Sequence, residues 1–259
     1  MSYDLSMCLA GIRPQFWRAV YDSAGVSCSR YSWEMVVVSP YPLPPEMEGL
    51  PNLKYVYDKG CPTRASQHGA AECSGKLLMF PCDDGVFIPD ACNQALDLWF
   101  SAAKPKDGMV LRYKEGPGMN APSFPLEYWN VSYHLDVRSL HIGADWKIAP
   151  QPMLALDYYR ELGGVDVANF ECMSWATHDL CYRMQRDGGK FHLSPLEVMD
   201  ADNYGATGGD HAPIFHAHSV DHAAFARLYN NPDVVNRVKV DFDTWKNSPE
   251  VWARRWGNG

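Results

Sequence analysis

The chain has no cluster of lysine or arginine, no cysteine pair in C-x-x-C spacing, no internal repeat, no low-complexity block and no apolar run approaching a membrane span. Each absence excludes something. Only 23 Lys and Arg stand against 31 Asp and Glu, for a formal charge of -8. A chain of that balance lacks the cationic footprint that a nucleic-acid backbone needs, so nucleic acid is not expected as a partner and a small anion would need a local device. The eight cysteines, at 8, 28, 61, 73, 82, 92, 172 and 181, show none of the commonest zinc-ribbon or redox spacings. A bilayer-spanning helix takes about 20 apolar residues, and none is present. The start, MSYDLSMCLAG, has no basic segment followed by a long apolar one, as an export signal would. These readings lead to the expectation of a soluble, cytoplasmic protein with reduced, mostly buried thiols.

What is there is ordinary globular material. The 259 residues, 46% of them apolar, suffice for one domain with a substantial core. Apolar runs at 5–10, 34–39, 53–57 and 76–80 read as strands. Between them, helical patterns open at Pro14 and Pro62, and a further one opens at Pro89 with Ala91, Ala95, Leu98 and Ala102 on one face. Strands spaced by helices at this density predict an α/β fold: a mostly parallel central sheet with helices on both faces. From about residue 104 the texture changes. Lys106-Asp107-Gly108 reads as a turn into a strand at 109–113, and residues 114–125 carry too many Gly and Pro for regular structure. Residues 154–162 and 172–186 read as helices, 191–193 as a strand, 203–210 as a glycine-rich loop and 225–229 as part of a late helix. The whole is one domain, with residues 1–103 as one half and 104–259 as the other.

The chemistry concentrates at Asp83-Asp84. Two adjacent carboxylates at the end of an apolar strand repel each other and lose hydration, a cost normally offset by a cation. Ligands of open α/β sheets bind outside the carboxyl ends of the strands, where this pair falls. Hard oxygen donors suit Mg²⁺ or Mn²⁺, which often share their shell with substrate phosphates. Asp83-Asp84-Gly85 also reads as a plain polar turn, because Asp and Gly are common turn formers.

The run AECSGKLLMFPCDDGVFIPD, residues 71–90, resembles the donor-site segment of family 2 glycosyltransferases with the GT-A fold. The shared pattern is a helix of small residues ending at Gly, an apolar strand, an acidic element, an apolar pair, and P-D opening a helix. Residues 5–25 are similar to the family's first strand and helix, and GGVD, HDLCYR and GGKFHLSP within 156–195 are similar to its acceptor-side block. The resemblance implies a Rossmann-related GT-A fold and transfer of a sugar from a nucleoside diphosphate sugar, a UDP-sugar first, to a hydroxyl acceptor, with Mn²⁺ or Mg²⁺ as cofactor. It implies Asp84 as metal ligand and Asp83 as a contact to ribose or metal-bound water. Two departures stand out. Ala10-Gly11-Ile12-Arg13 replaces the usual P-T ending of the first strand, and Ser39-Pro40 replaces the aspartates that end the second. Arg13 and Arg64 remain as candidates for the nucleotide, Arg64 for the base or a phosphate.

An inverting transfer needs a carboxylate to take the acceptor's proton. The family's E-D element falls on Ala176-Thr177 here, leaving Asp179 as first candidate. Arg183, one turn on, is placed to orient it or to contact phosphate. A helix ion pair is the other reading, and then Asp166 or Glu171 is the base, or the chemistry is retaining. Late histidines complete the metal shell in many GT-A enzymes, which points to His211 first and His218 second. The run His216, His218, Asp221, His222 also approaches the H-x-H-x-D-H of zinc hydrolases, with one residue too many. A zinc hydrolase and a catalytically idle nucleotide-sugar-binding module are therefore the alternatives.

Overall fold

The computed structural model describes residues 2–115, 149, 151–201 and 212–250, with backbone alone at 113–115 and 212–219. The chain opens with β1 (Leu5–Ala10), α1 (Pro14–Ser27), β2 (Trp33–Ser39), β3 (Leu53–Tyr57), α2 (Pro62–Glu72) and β4 (Leu77–Met79). It continues with β5 (Val86–Phe87), α3 (Ala91–Ala102), β6 (Gly108–Glu115), β7 (Pro152–Ala155), α4 (Leu156–Glu161) and α5 (Met173–Arg186). The last elements are β8 (Phe191–Ala201), α6 (Ala212–Tyr229) and α7 (Pro232–Val235). The strands form one eight-stranded sheet in the order β3-β2-β1-β4-β7-β6-β8-β5. β1 to β4 are mutually parallel, β6 and β8 are parallel to each other, and β7 and β5 run against their neighbours. This is the expected mostly parallel α/β sheet.

Both faces of the sheet are covered, which is why the central strands are apolar throughout rather than alternating. Cys8 on β1 and Val36 and Val38 on β2 turn toward α2, while Trp33, of opposite parity on β2, meets Tyr21 of α1 edge-on at 5.2 Å. The small residues of α2 allow a close approach: a Cβ on Gly69 would lie 2.5 Å from Cys8 Sγ and 2.7 Å from Val38 Cγ2. All eight cysteines are free thiols, and all but the half-buried Cys82 are buried. No helix among the described residues is long and apolar enough to cross a membrane.

The structure departs from the sequence-based expectation in three places, two of them in the second half. Residues 154–162, expected as one helix, divide into β7 and α4. The backbone edges of β4 and β6 both need a partner, and β7 supplies it, placing Leu154 opposite Leu78 and Met153 opposite Met109. The short β5 was not expected at all. β8 runs far past the expected 191–193 in spite of Pro195. The ladder shifts register beside it, between Val110 and Arg112, and Ser194 Oγ accepts the Arg112 amide at 2.9 Å in place of a backbone carbonyl. The glycine-rich loop expected at 203–210 and the residues after 115 in the expected breaker segment lie outside the described residues.

Candidate functional site

The strand order creates the site. From β1 the chain winds outward through β2 to β3, then returns to place β4 on the other side of β1. In open α/β sheets the crevice at such a reversal, beyond the carboxyl ends of the strands, is the binding position. Here it lies between residues 11–13, after β1, and Asp83 and Asp84, after β4.

Asp83 staples the two sides together. Its Oδ2 accepts the backbone amides of Ile12 at 2.6 Å and Arg13 at 2.9 Å, and its Oδ1 accepts from Arg13 Nη1 at 2.5 Å. The same Nη1 lies 3.1 Å from Asp84 Oδ2. Arg13 and Asp83 side chains are 9% and 7% exposed, and Asp84 is 18% exposed. The cation that the carboxylate pair requires is therefore present within the chain as a guanidinium. The local sequence explains its placement: Pro14 opens α1 with no amide to satisfy and a preset φ, so Arg13 sits at the helix cap, outside the helix. On a divalent ion the geometry separates the two aspartates. Asp83 has both oxygens engaged by the β1–α1 connection, whereas Asp84, more open to solvent, is the carboxylate whose chemistry would suit a metal. No group of three or more metal-type side chains gathers among the described residues. His211 lies outside them, and His218 falls on α6 where the backbone alone is described.

Arg64 is not open toward the crevice. It is 4% exposed, its Nε lies 3.1 Å from both Asp58 oxygens, and its Nη1 donates to Trp245 O and, at 2.9 Å, to Ser248 O. Trp245 also stacks on His68 at 4.1 Å. A cleft of about 390 Å³ opens beside this cluster, lined by Tyr57, Asp58, Lys59, Arg64, His68 and Trp245 among others. In this arrangement Arg64 anchors the segment at 242–248; contact with a base or phosphate would require that segment to leave.

Asp179 and Arg183 are corrected outright. Asp179 has 0% exposure and Arg183 1%. Asp179 accepts from Arg183 Nε at 2.8 Å, from Arg237 Nη2 at 2.5 Å and from Tyr229 Oη at 2.6 Å. Arg183 also donates to the carbonyls of Leu162 and Gly164. Burial pushes the Asp179 carboxyl up, but the two guanidinium groups and the tyrosine together outweigh it and hold its pKa below the ordinary value. A group with no surface, kept ionised by two arginines, does not meet an acceptor hydroxyl, and Arg183 does not meet a phosphate. Asp166 is likewise engaged, by Arg237 at 2.7 Å and Asn169 at 2.8 Å. Of the three carboxylates considered for the base, Glu171 alone keeps a half-exposed side chain.

The histidine run falls on α6, where residues advance 100° each, so that positions 216 and 218 lie about 200° apart around the axis. A helix therefore keeps positions 216 and 218 off one face. Asp221 is fully buried and accepts the amides of Glu171 at 2.8 Å and Cys172 at 2.5 Å, placing a negative charge at the start of α5, where the helix dipole favours it. Sequence reasoning missed this cap because 50 residues separate the partners, and it missed the amides of Ile12 and Arg13 because a backbone donor leaves no mark on composition.

No protein-family model matches the chain, and no curated protein sequence matches it. Solved structures do. The chain is similar to S. aureus TarS, with a TM-score of 0.54 at 10% identity over 77% of this chain and 36% of that one. It is similar to TarS 1–349, with a TM-score of 0.55 at 10% identity over 77% of this chain and 60% of that one. It is also similar to TarS 1–349 in complex with UDP, at 0.54, 10%, 77% and 60%. The chain thus spans 36 to 60% of these TarS structures. At that identity the likeness shows the fold: a single α/β domain of GT-A-like glycosyltransferase architecture.

Proposed function

We propose that the protein transfers a sugar from a nucleoside diphosphate sugar, a UDP-sugar first, to a hydroxyl acceptor. The observation that carries this reading is the acidic pair at the fold's topological switch point, with Arg13 beside it. That the similar TarS 1–349 was solved with UDP supports the choice of nucleotide. The main-chain loop at residues 11–13 lines the crevice, Arg13 provides a planar donor for phosphate oxygens, and Asp84 is the side chain to hold Mn²⁺ or Mg²⁺. Such an ion, when bound, would neutralise the diphosphate as it leaves. Glu171, at the start of α5, takes the place of Asp179 as the base for an inverting displacement.

The test is a thermal titration with UDP and Mn²⁺ together. A ligand that binds only the native state raises the melting temperature, and Asp84→Ala is expected to abolish the rise. A matching rise in the variant sinks the reading, and a rise with Zn²⁺ alone moves it to the hydrolase. The buried state of Asp179 favours one further reading, a binding module without turnover. UDP release from a donor and acceptor panel, lost in Glu171→Gln, rules that out.

A further inference from the structure

We propose that Arg13 is a displaceable internal counter-cation that keeps divalent metal off the acidic pair until a diphosphate draws the guanidinium away. The part concerning the diphosphate rests on the function proposed above; the exclusion of metal does not.

The geometry assigns the two aspartates different duties. Asp83 accepts two backbone amides as well as Arg13, so its charge stays compensated if the arginine moves. Asp84 meets the same Nη1 more loosely, at 3.1 Å against 2.5 Å, and is the more exposed of the two. Asp84 is therefore the exchange position. A metal ion binding its Oδ2 must either displace Arg13 or sit against its positive charge, and both weaken metal binding. Arginine suits this duty better than lysine in one respect: it stays charged at any pH the protein meets, so the pair is never left as a bare metal site. A diphosphate resolves the conflict, because its oxygens accept the guanidinium fork and at the same time add ligands for the metal. The order that follows is nucleotide with metal, never metal first.

Mn²⁺ uptake by the nucleotide-free protein, read from loss of the free-ion signal in electron paramagnetic resonance, tests the exclusion. Arg13→Gln is expected to take up Mn²⁺ at least tenfold more tightly than wild type, Arg13→Lys to stay as weak as wild type, and Asp84→Asn added to Arg13→Gln to remove the gained site. Equal uptake by Arg13→Gln and wild type, or a gained site that survives Asp84→Asn, overturns the proposal. Should Arg13→Gln not fold, Asp84→Asn alone decides it. That variant and wild type are both expected to bind Mn²⁺ weakly, and a tight wild-type Mn²⁺ site that Asp84→Asn abolishes overturns the proposal. Absence of UDP binding under every condition would defeat the nucleotide reading while these metal measurements still stand.

Discussion

Asp83 and Asp179 each face an arginine, and each belongs to a motif that the sequence marks as functional, Asp83 for the nucleotide and Asp179 for the base. Asp83 lies at the rim of the sheet, shares Arg13 with Asp84, and leaves that neighbour partly exposed to solvent. Asp179 lies in the core between Arg183, Arg237 and Tyr229 with no surface at all. The same pairing of carboxylate and guanidinium therefore stands at a partly open rim in one region and is sealed inside the fold in the other. Burial is what tells them apart: a charge pair at a crevice can exchange partners with a ligand, whereas one sealed from water has no partner to exchange with.

The contrast breaks first at Asp179. Asp179→Ala leaves the buried Arg183 without its carboxylate and takes from Arg237 one of its two; it is expected to cost about 3–5 kcal/mol, read by urea unfolding, and wild-type stability in that variant would end the structural account. Gly163→Ala tests the cage around the same cluster. Gly163 has φ +85°, and a Cβ there would meet Val240 O at 1.8 Å. Since neither backbone yields cheaply, a loss of about 1–3 kcal/mol is expected. At the rim the signs reverse. Asp84→Ala should lower the affinity for UDP with Mn²⁺ at least tenfold, about 1.4 kcal/mol, while moving stability by no more than about 0.5 kcal/mol; calorimetry with denaturation on one sample checks both.

The smallest effect is on pH. Asp179 and Asp58 both have lowered pKa values: for each, burial acts upward and is outweighed, by Arg183 and Arg237 at Asp179 and by His68, the Gly60 amide and Arg64 at Asp58. A depressed carboxyl contributes stability above its unfolded pKa of about 3.9, and that contribution is lost as pH falls through the lower folded value. Unfolding free energy should therefore change little between pH 7 and 5 from these groups and drop below about pH 4. Asp58→Asn should flatten that drop.

Much of the first half was legible because each element carries its own signal. Pro14 and Pro62 mark helix starts, the buried strands are apolar on both faces, and β3 falls on residues 53–57 as read. The acidic pair was legible for the same reason, since it follows directly on the strand that positions it. In the second half local signals mislead. Residues 152–155 have no strand pattern of their own and become β7 because two sheet edges require a partner. Likewise Asp179-Leu180-Cys181-Tyr182-Arg183 carries the spacing of an active helix, yet Arg237, 58 positions away, closes over it. The role of Asp221 depends on a contact equally remote in the chain.

Residue order by itself determined the alternation of strands and helices, the acidic charge balance and the location of the acidic pair, because these depend on composition and on neighbours within a few positions. Tertiary structure alone decided that Arg13 neutralises that pair, that Arg64 grips the segment at 242–248 and that Asp179 is buried. Each of these is an electrostatic pairing between distant parts of the chain, and its worth depends on exclusion from water, which exists only once the sheet and its helices have closed together.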